Sequence, residues 1–135
     1  MVAGQRPQGR LDRLCGRNRL AEMKIVREPL SLAELETMAK AGFGNLVKAV
    51  VDVERCVMAV GGELHSDEEA LLLEDGSSQQ HLWGINLYPE LSGEDWVEFD
   101  SMINIRPSQG NRTRGVDDAG VRRRVVEVVE RLVAR

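Results

Sequence analysis

The chain has 135 residues, of which 42% are hydrophobic and 30% charged, and its formal net charge is −4. This length and apolar fraction suffice for one compact core, and we expect no second independent domain. A net charge of −4 does not produce the strong basic field that duplex nucleic-acid binders carry. No apolar run approaches the roughly 20 residues of a membrane-spanning helix. We therefore expect a soluble cytoplasmic domain that binds neither duplex nucleic acid nor membrane.

The first 22 residues differ from the remainder in composition. They contain five arginines, one aspartate and one glutamate, so their net charge is +3 while that of residues 23–135 is −7. A strand-like segment follows Met23 at once. The sequence predicts a basic, disordered extension over 1–22 and a single α+β domain over 23–135, with an arm that contacts RNA or a membrane surface as the alternative.

Hydrophobic periodicity and end signals predict eight elements. Ser31 with Glu34, and Ser66 with Glu69, match the capping box that begins a helix. Alternation with a period of two predicts strands that bury one face. In chain order the predicted elements are a strand over 24–28, a helix over 32–41, strands over 46–53 and 57–60, a helix from Ser66 to Asp75, strands over 82–88 and 96–105, and a helix capped by Asp117 or Asp118.

This order, β-α-β-β-α-β-β-α, predicts an α+β fold. Most strands are joined as hairpins and there are only three helices, which favours a mainly antiparallel sheet of about five strands covered on one face by helices. In the second helix, Ala70, Leu72 and Leu73 are predicted to point inward. In the last helix, a valine stripe that includes Val125 is predicted to be buried.

The segment 100–115, DSMINIRPSQGNRTRG, follows a predicted strand and is the most unusual of the chain. Its guanidinium and amide groups suit carboxylate or phosphate, and it leads to a helix N-terminus, where backbone amides favour an anion. The sequence thus predicts an anion site here; in the alternative, the arginines pair with carboxylates and fasten the loop. The candidate ligand-binding residues are Arg106, Gln109, Asn111, Arg112, Arg114, Glu63, His65 and Asp100.

A second polar segment, GGELHSDEE over 61–69, spaces Glu63, His65 and Asp67 two residues apart. An extended backbone would align these side chains toward a metal ion. One histidine with carboxylates is a weak ligand set, however, and the capping box already explains this segment. No nucleophile elbow or phosphate-binding glycine fingerprint is present, and we predict no metal and no cofactor.

Two long stretches, GGELHSDEEALLLEDGSSQQHLWGINLYPE and EFDSMINIRPSQGNRTRG, carry a resemblance to a known family. From about Met23 onward the chain is similar to a small bacterial family known only as a domain of unknown function. The resemblance implies a prokaryotic protein. It transfers no activity, cofactor or catalytic residue.

Three functional hypotheses follow from these patterns. The leading one is a small binding or regulatory module whose anion site combines the loop 106–115 with the acidic turn 63–69. The second is an enzyme acting on a phosphorylated or carboxylated substrate that the arginines hold, with Glu63, His65 or Asp100 as acid or base. The third is a partner subunit of a hetero-complex that associates through an exposed sheet edge. A homo-oligomer is also an open alternative.

Overall fold

A computed structural model describes residues 23–135, and the predictions for the basic segment 1–22 lie outside the described residues. Four short 3-10 turns occur among the helices and strands of this part of the chain. The elements are β1 (Lys24–Val26), β2 (Leu30–Ser31), α1 (Leu32–Ala41), β3 (Val47–Asp52), β4 (Val57–Val60), α2 (His65–Glu74), β5 (Leu82–Leu87), β6 (Val97–Glu98), α3 (Ala119–Leu132) and β7 (Val133–Ala134), with the 3-10 turns at Gln79–His81, Gly93–Asp95, Met102–Asn104 and Pro107–Gln109.

Five strands form one antiparallel sheet in the order β1-β4-β3-β5-β6. The central strand β3 pairs with both β4 and β5, so that Val50 lies opposite Ala59 on one side and Gly84 on the other. Strands β2 and β7 pair in parallel as a separate two-stranded sheet. The α+β class and the antiparallel five-stranded sheet are confirmed.

Helices α1 and α3 cover one face of the sheet. The predicted capping box begins α1: the Glu34 amide donates to Ser31 Oγ, and the Ser31 amide donates to a carboxylate oxygen of Glu34. Asp118 caps α3 by accepting from the amides of Gly120 and Val121. The main core includes Leu35 and Ala39 of α1, the predicted stripe Val125, Val128, Val129 and Leu132 of α3, and the sheet residues Val47, Ala49, Val51, Met58, Val60, Trp83, Ile85 and Leu87.

Helix α2 covers the opposite face, so the sheet is enclosed on both sides rather than on one. A second core cluster there joins Leu72 of α2 to Val50, Val57, Ala59 and Leu82 of the sheet. All four residues of β4 are buried. Strands with two buried faces carry continuous apolar runs, as VMAV does, instead of a strict alternation.

The N-terminus of α2 differs from the prediction. The helix begins at His65, its cap residue is Leu64, and no side chain caps it. The predicted capping box of Ser66 and Glu69 is therefore wrong. Because the helix begins one residue earlier, Ser66 lies within its first turn and not at the cap position.

The buried face of α2 also differs from the prediction. Leu72 is buried as expected, but Ala70 and Leu73 are exposed, and the other buried positions of the helix are His65 and Glu68. The imidazole and the carboxyl group both bond to backbone atoms, which turns these two polar side chains inward. The prediction from hydrophobicity was therefore wrong for Ala70 and Leu73.

The predicted strand over 96–105 is paired only at Val97 and Glu98. After Glu98, the side chain of Asn104 replaces a strand residue in the hydrogen bonding to β5. Its Oδ1 accepts from the Gly84 amide at 2.8 Å, and its Nδ2 donates to the Gly84 carbonyl at 3.0 Å. A Cβ on Gly84 would stand 2.6 Å from the Cβ of Ser101. The close approach of the 3-10 turn to β5 therefore requires glycine here.

Candidate anion-binding cleft

A cleft of about 320 Å³ lies where the N-terminus of α2 meets the residues that follow β6 and the edge of β3 and β5; we call it the α2 cleft. Leu64, Met102 and Ile103 supply apolar parts of its wall. The cleft unites the two segments that the sequence marked as candidate sites. Its polar lining residues are Lys48, His65, Ser66, Asn86, Asp100, Ser101 and Arg114.

Asn86 lies on the floor of the cleft, in a row of polar residues across the sheet. It stands opposite Lys48 of β3 and Glu98 of β6, so the three side chains share one face. Asn86 Nδ2 donates to Glu98 Oε1 at 2.9 Å, and the same oxygen accepts from the Tyr88 hydroxyl. Because a carboxylate only accepts, this contact identifies the amide nitrogen and assigns the other atom as oxygen. That Oδ1 is fully covered and has no partner among the described residues.

His65 is the first residue of α2 and is 9% exposed. Its Nε2 lies 2.8 Å from the Ile85 carbonyl, which can only accept, so Nε2 carries the proton. Burial lowers the pKa of His65 and outweighs the opposing effect of the bond to Ile85. The ring is therefore neutral at neutral pH, and its Nδ1 is a hydrogen-bond acceptor.

Arg114 and Asp100 form an exposed ion pair at the cleft, with Arg114 Nε 2.6 Å from Asp100 Oδ1. The backbone beneath this pair is held, since the Arg114 carbonyl accepts from the Ser101 amide and from Asn104 Nδ2, both at 2.9 Å. The pair uses only Nε, and the two Nη groups have no hydrogen-bond partner among residues 23–135. A guanidinium fork with free Nη groups can bind a carboxylate or phosphate.

Among the side chains that line the cleft, cationic groups outnumber anionic ones, and the Glu98 carboxylate beside Asn86 is not part of this lining. Lys48 and Arg114 contribute two cationic groups, Asp100 contributes one anionic group, and His65 is neutral. The first amides of α2 add a positive partial charge, because no side chain caps this helix end. The arrangement suits a small anion.

Three of the predicted site residues, His65, Asp100 and Arg114, line the α2 cleft, and Arg106 does not. The Arg106 guanidinium donates to the carbonyls of Gln79 and Leu82 and lies 4.2 Å from the centroid of the Trp83 ring. Burial lowers the pKa of Arg106. This arginine fastens the loop to the sheet.

Asn111 is buried and its amide group is fully used inside the loop. Its Nδ2 donates to the carbonyls of Asn104 and Gly115, each at 2.8 Å, and its Oδ1 accepts from the Asp117 amide at 2.7 Å. These bonds shape the loop that presents Arg114. Asn111 therefore acts on the cleft indirectly.

The other predicted residues lie outside the α2 cleft. Gln109 donates to the Gln80 carbonyl at 3.1 Å and lines a separate cavity of about 430 Å³. Arg112 has an exposed side chain, while its amide donates to Asp117. Glu63 lines a neighbouring groove beside Lys48.

The extended arrangement of Glu63, His65 and Asp67 that a metal site would need is absent, since His65 and Asp67 belong to α2. Within residues 23–135, no three His, Cys, Asp or Glu side chains are grouped so that they could hold a metal ion. None of the helices in this part of the chain is long and apolar enough to cross a membrane.

Lys48 and Asn86 are cleft residues that the sequence did not mark as candidates. In the sequence, Lys48 alternates with the apolar residues Val47 and Ala49, which is the only signal for it. The pairing of Lys48 with Asn86 depends on the register of β3 and β5, and no short turn fixes that register, because β4 and α2 lie between the two strands in sequence.

The comparisons with known proteins identify the family of the chain. No curated protein and no solved structure matched it. A family model described as "Protein of unknown function (DUF5674)" matches residues 24–132, which cover nearly all of the described domain and agree with the resemblance seen in the sequence. The chain therefore belongs to this family of proteins of unknown function.

Proposed function

We propose that the chain is a small cytoplasmic module that binds a carboxylate or phosphate anion in the α2 cleft. The observation that carries this proposal is the convergence of His65 with Asp100 and Arg114, from segments far apart in sequence, in one cleft. Lys48 adds a second cationic side chain from the sheet. The proposed anion site thus involves Arg114, near the C-terminal end of the loop 106–115, and not the whole loop.

Each part of the cleft has a role in this proposal. Arg114 supplies paired N–H donors, Lys48 supplies a point charge, and the uncapped end of α2 supplies backbone amides. Asp100 neutralises part of this charge and holds Arg114 through Nε. Because an exposed ion pair contributes little to stability, the protein loses little stability when Arg114 turns toward a ligand.

Thermal unfolding with inorganic phosphate tests the proposal, with sodium chloride at equal ionic strength as the reference. A ligand that binds only the native state adds RT ln(1 + [L]/Kd), which is about 2.7 kcal/mol at a hundredfold excess over Kd. We expect a saturable rise in the melting temperature of the full chain. Lys48→Gln and Arg114→Gln should each abolish the saturable part.

Arg112→Gln is the matched control, because Arg112 belongs to the same loop and its side chain is exposed outside the cleft. It removes the same charge and should keep the response to phosphate. Equal loss in Arg112→Gln and Arg114→Gln would show a general charge effect and contradict the proposal. A wild-type protein that responds to neither phosphate nor acetate would contradict it as well.

A second candidate function is an enzyme that acts on the bound anion with His65 as its acid or base. The observation that favours it is the imidazole at the cleft, whose lowered pKa leaves one ring nitrogen unprotonated and able to accept a proton at neutral pH. A screen of phosphorylated and carboxylated compounds separates the two functions. Product formation that is lost in His65→Gln would establish the enzyme, whereas binding without turnover would establish the module.

A further inference from the structure

The α2 cleft presents hydrogen-bond acceptors that an anion without a donor group cannot use. A carboxylate or the dianion of a phosphate monoester carries no O–H or N–H, so its charged group engages only the cationic groups of the cleft and its backbone amides. An acceptor atom in the same cleft needs a donor instead. Besides the carboxylate of Asp100, His65 and Asn86 each carry such an atom.

The first acceptor is Nδ1 of His65. The bond from Nε2 to the Ile85 carbonyl fixes the tautomer, and no described residue donates to Nδ1. His65 lines the cleft at the first residue of α2.

The second acceptor is Oδ1 of Asn86, which is fully covered and has no partner among the described residues. The side chain is 8% exposed and lines the cleft, and its Nδ2 is held by Glu98. A buried polar atom without a partner is costly, and native structures seldom keep one unless a water or ligand satisfies it. Because this oxygen is covered, a ligand in the cleft does not reach it directly, and Nδ1 of His65 is the acceptor on which the inference rests.

We infer that the α2 cleft selects a hydroxylated anion, whose hydroxyl group donates to Nδ1 of His65 while its charged group binds Lys48 and Arg114. An ammonium group would also donate, but the two cationic side chains would repel it. A hydroxyl group donates without charge. The inference rests on the proposed anion site and names the class of ligand that this site takes.

Calorimetric titration of the full chain with glycerol phosphate and with propyl phosphate tests the inference. The two probes share the phosphate and a three-carbon chain, and only the first carries hydroxyl groups. At mildly alkaline pH both are dianions, since the second phosphate pKa is about 6. We expect the wild type to bind glycerol phosphate at least about tenfold more tightly, the ratio expected for one or two added hydrogen bonds.

His65→Gln is the diagnostic variant. Its amide nitrogen can replace Nε2 as the donor to Ile85, but it provides no acceptor at the Nδ1 position. This variant should lose most of the preference and still bind propyl phosphate. His81→Gln, which changes the other histidine of the described domain outside the cleft, should keep the preference.

A second measurement covers the case in which His65→Gln does not fold. In nitrogen-15 NMR of the wild type, with His81→Gln to assign the two rings, glycerol phosphate should shift the Nδ1 resonance of His65 and propyl phosphate should leave it in place. Equal affinities for the two probes, or an unmoved Nδ1 resonance, would overturn the inference and leave the anion site intact. Binding of neither probe, nor of inorganic phosphate, would overturn both.

Discussion

Glu68 is an ionisable residue in a buried position of α2. Its Oε2 accepts from the Gly62 amide at 2.9 Å, and its Oε1 has no partner among the described residues. Burial raises the pKa of Glu68 well above its ordinary value, and the bond from Gly62 offsets this only in part. The folded protein therefore holds a proton here more tightly than the unfolded chain does.

The raised pKa of Glu68 makes the stability of the fold depend on pH. Because the folded pKa is raised, the stabilisation by protonated Glu68 is fully present below the ordinary pKa of 4.5 and is lost as pH rises through the folded pKa. We expect Glu68→Gln to remove this decline, so that its stability relative to wild type increases with pH. Denaturant unfolding from mildly acidic to mildly alkaline pH measures the difference.

Glu74→Gln is the control for this experiment, since Glu74 lies at the exposed end of the same helix. It removes one carboxyl group without changing a buried one, and the decline with pH should persist. A Glu68→Gln variant whose stability falls with pH as steeply as that of the wild type would mean that Glu68 titrates normally.

At the scale of elements, a side chain replaces part of a strand. Beta-branched and aromatic residues after Trp96 favour strand structure, yet the chain leaves the sheet after Glu98. Asn104 pairs with both backbone groups of Gly84 in place of a strand residue. This arrangement shapes the wall of the α2 cleft, because Ser101, Met102 and Ile103 line it.

We predict that Asn104→Ala destabilises the fold by about 2–4 kcal/mol, because it leaves buried backbone groups of Gly84 without partners. Urea unfolding measures this loss. Asn45→Ala, at an exposed loop position, is the control and should change stability by less than about 0.5 kcal/mol. A small effect of Asn104→Ala would show that water satisfies Gly84 and that the 3-10 turn is held by other contacts.

At the scale of the whole molecule, residues 23–135 enclose the sheet between two layers of helix. The main core extends from Val26 to Val133, and the second cluster lies beneath α2. The described domain thus contains a core on each face of its sheet.

We predict that deleting residues 1–22 changes the melting temperature by no more than about two degrees, because their basic, polar composition is typical of a solvated segment and β1 begins only at Lys24. Deleting 1–26 is the matched control. It also removes β1, which pairs with β4 and carries the buried Val26, and should lower the melting temperature strongly. A large drop on removal of 1–22 alone would show that this segment packs against the domain.

Local signals in the sequence predicted most of the elements. The Ser31 and Glu34 capping box, the Asp118 cap and the valine stripe of α3 involve residues within a few positions of one another, so their chemistry can be read from neighbours along the chain. The same reasoning identified the antiparallel α+β class, since short connections between strands favour hairpins.

Tertiary contacts decided the geometry of the candidate site. Lys48 meets Asn86 through the register of two strands, and His65 turns inward because its imidazole reaches the Ile85 carbonyl. Arg106 and Arg114 belong to one loop and have the same side chain, yet one contacts backbone carbonyls and a tryptophan while the other borders the cleft. Contacts with residues distant in sequence therefore determine where these side chains lie, because burial and pairing depend on which surfaces the folded chain brings together.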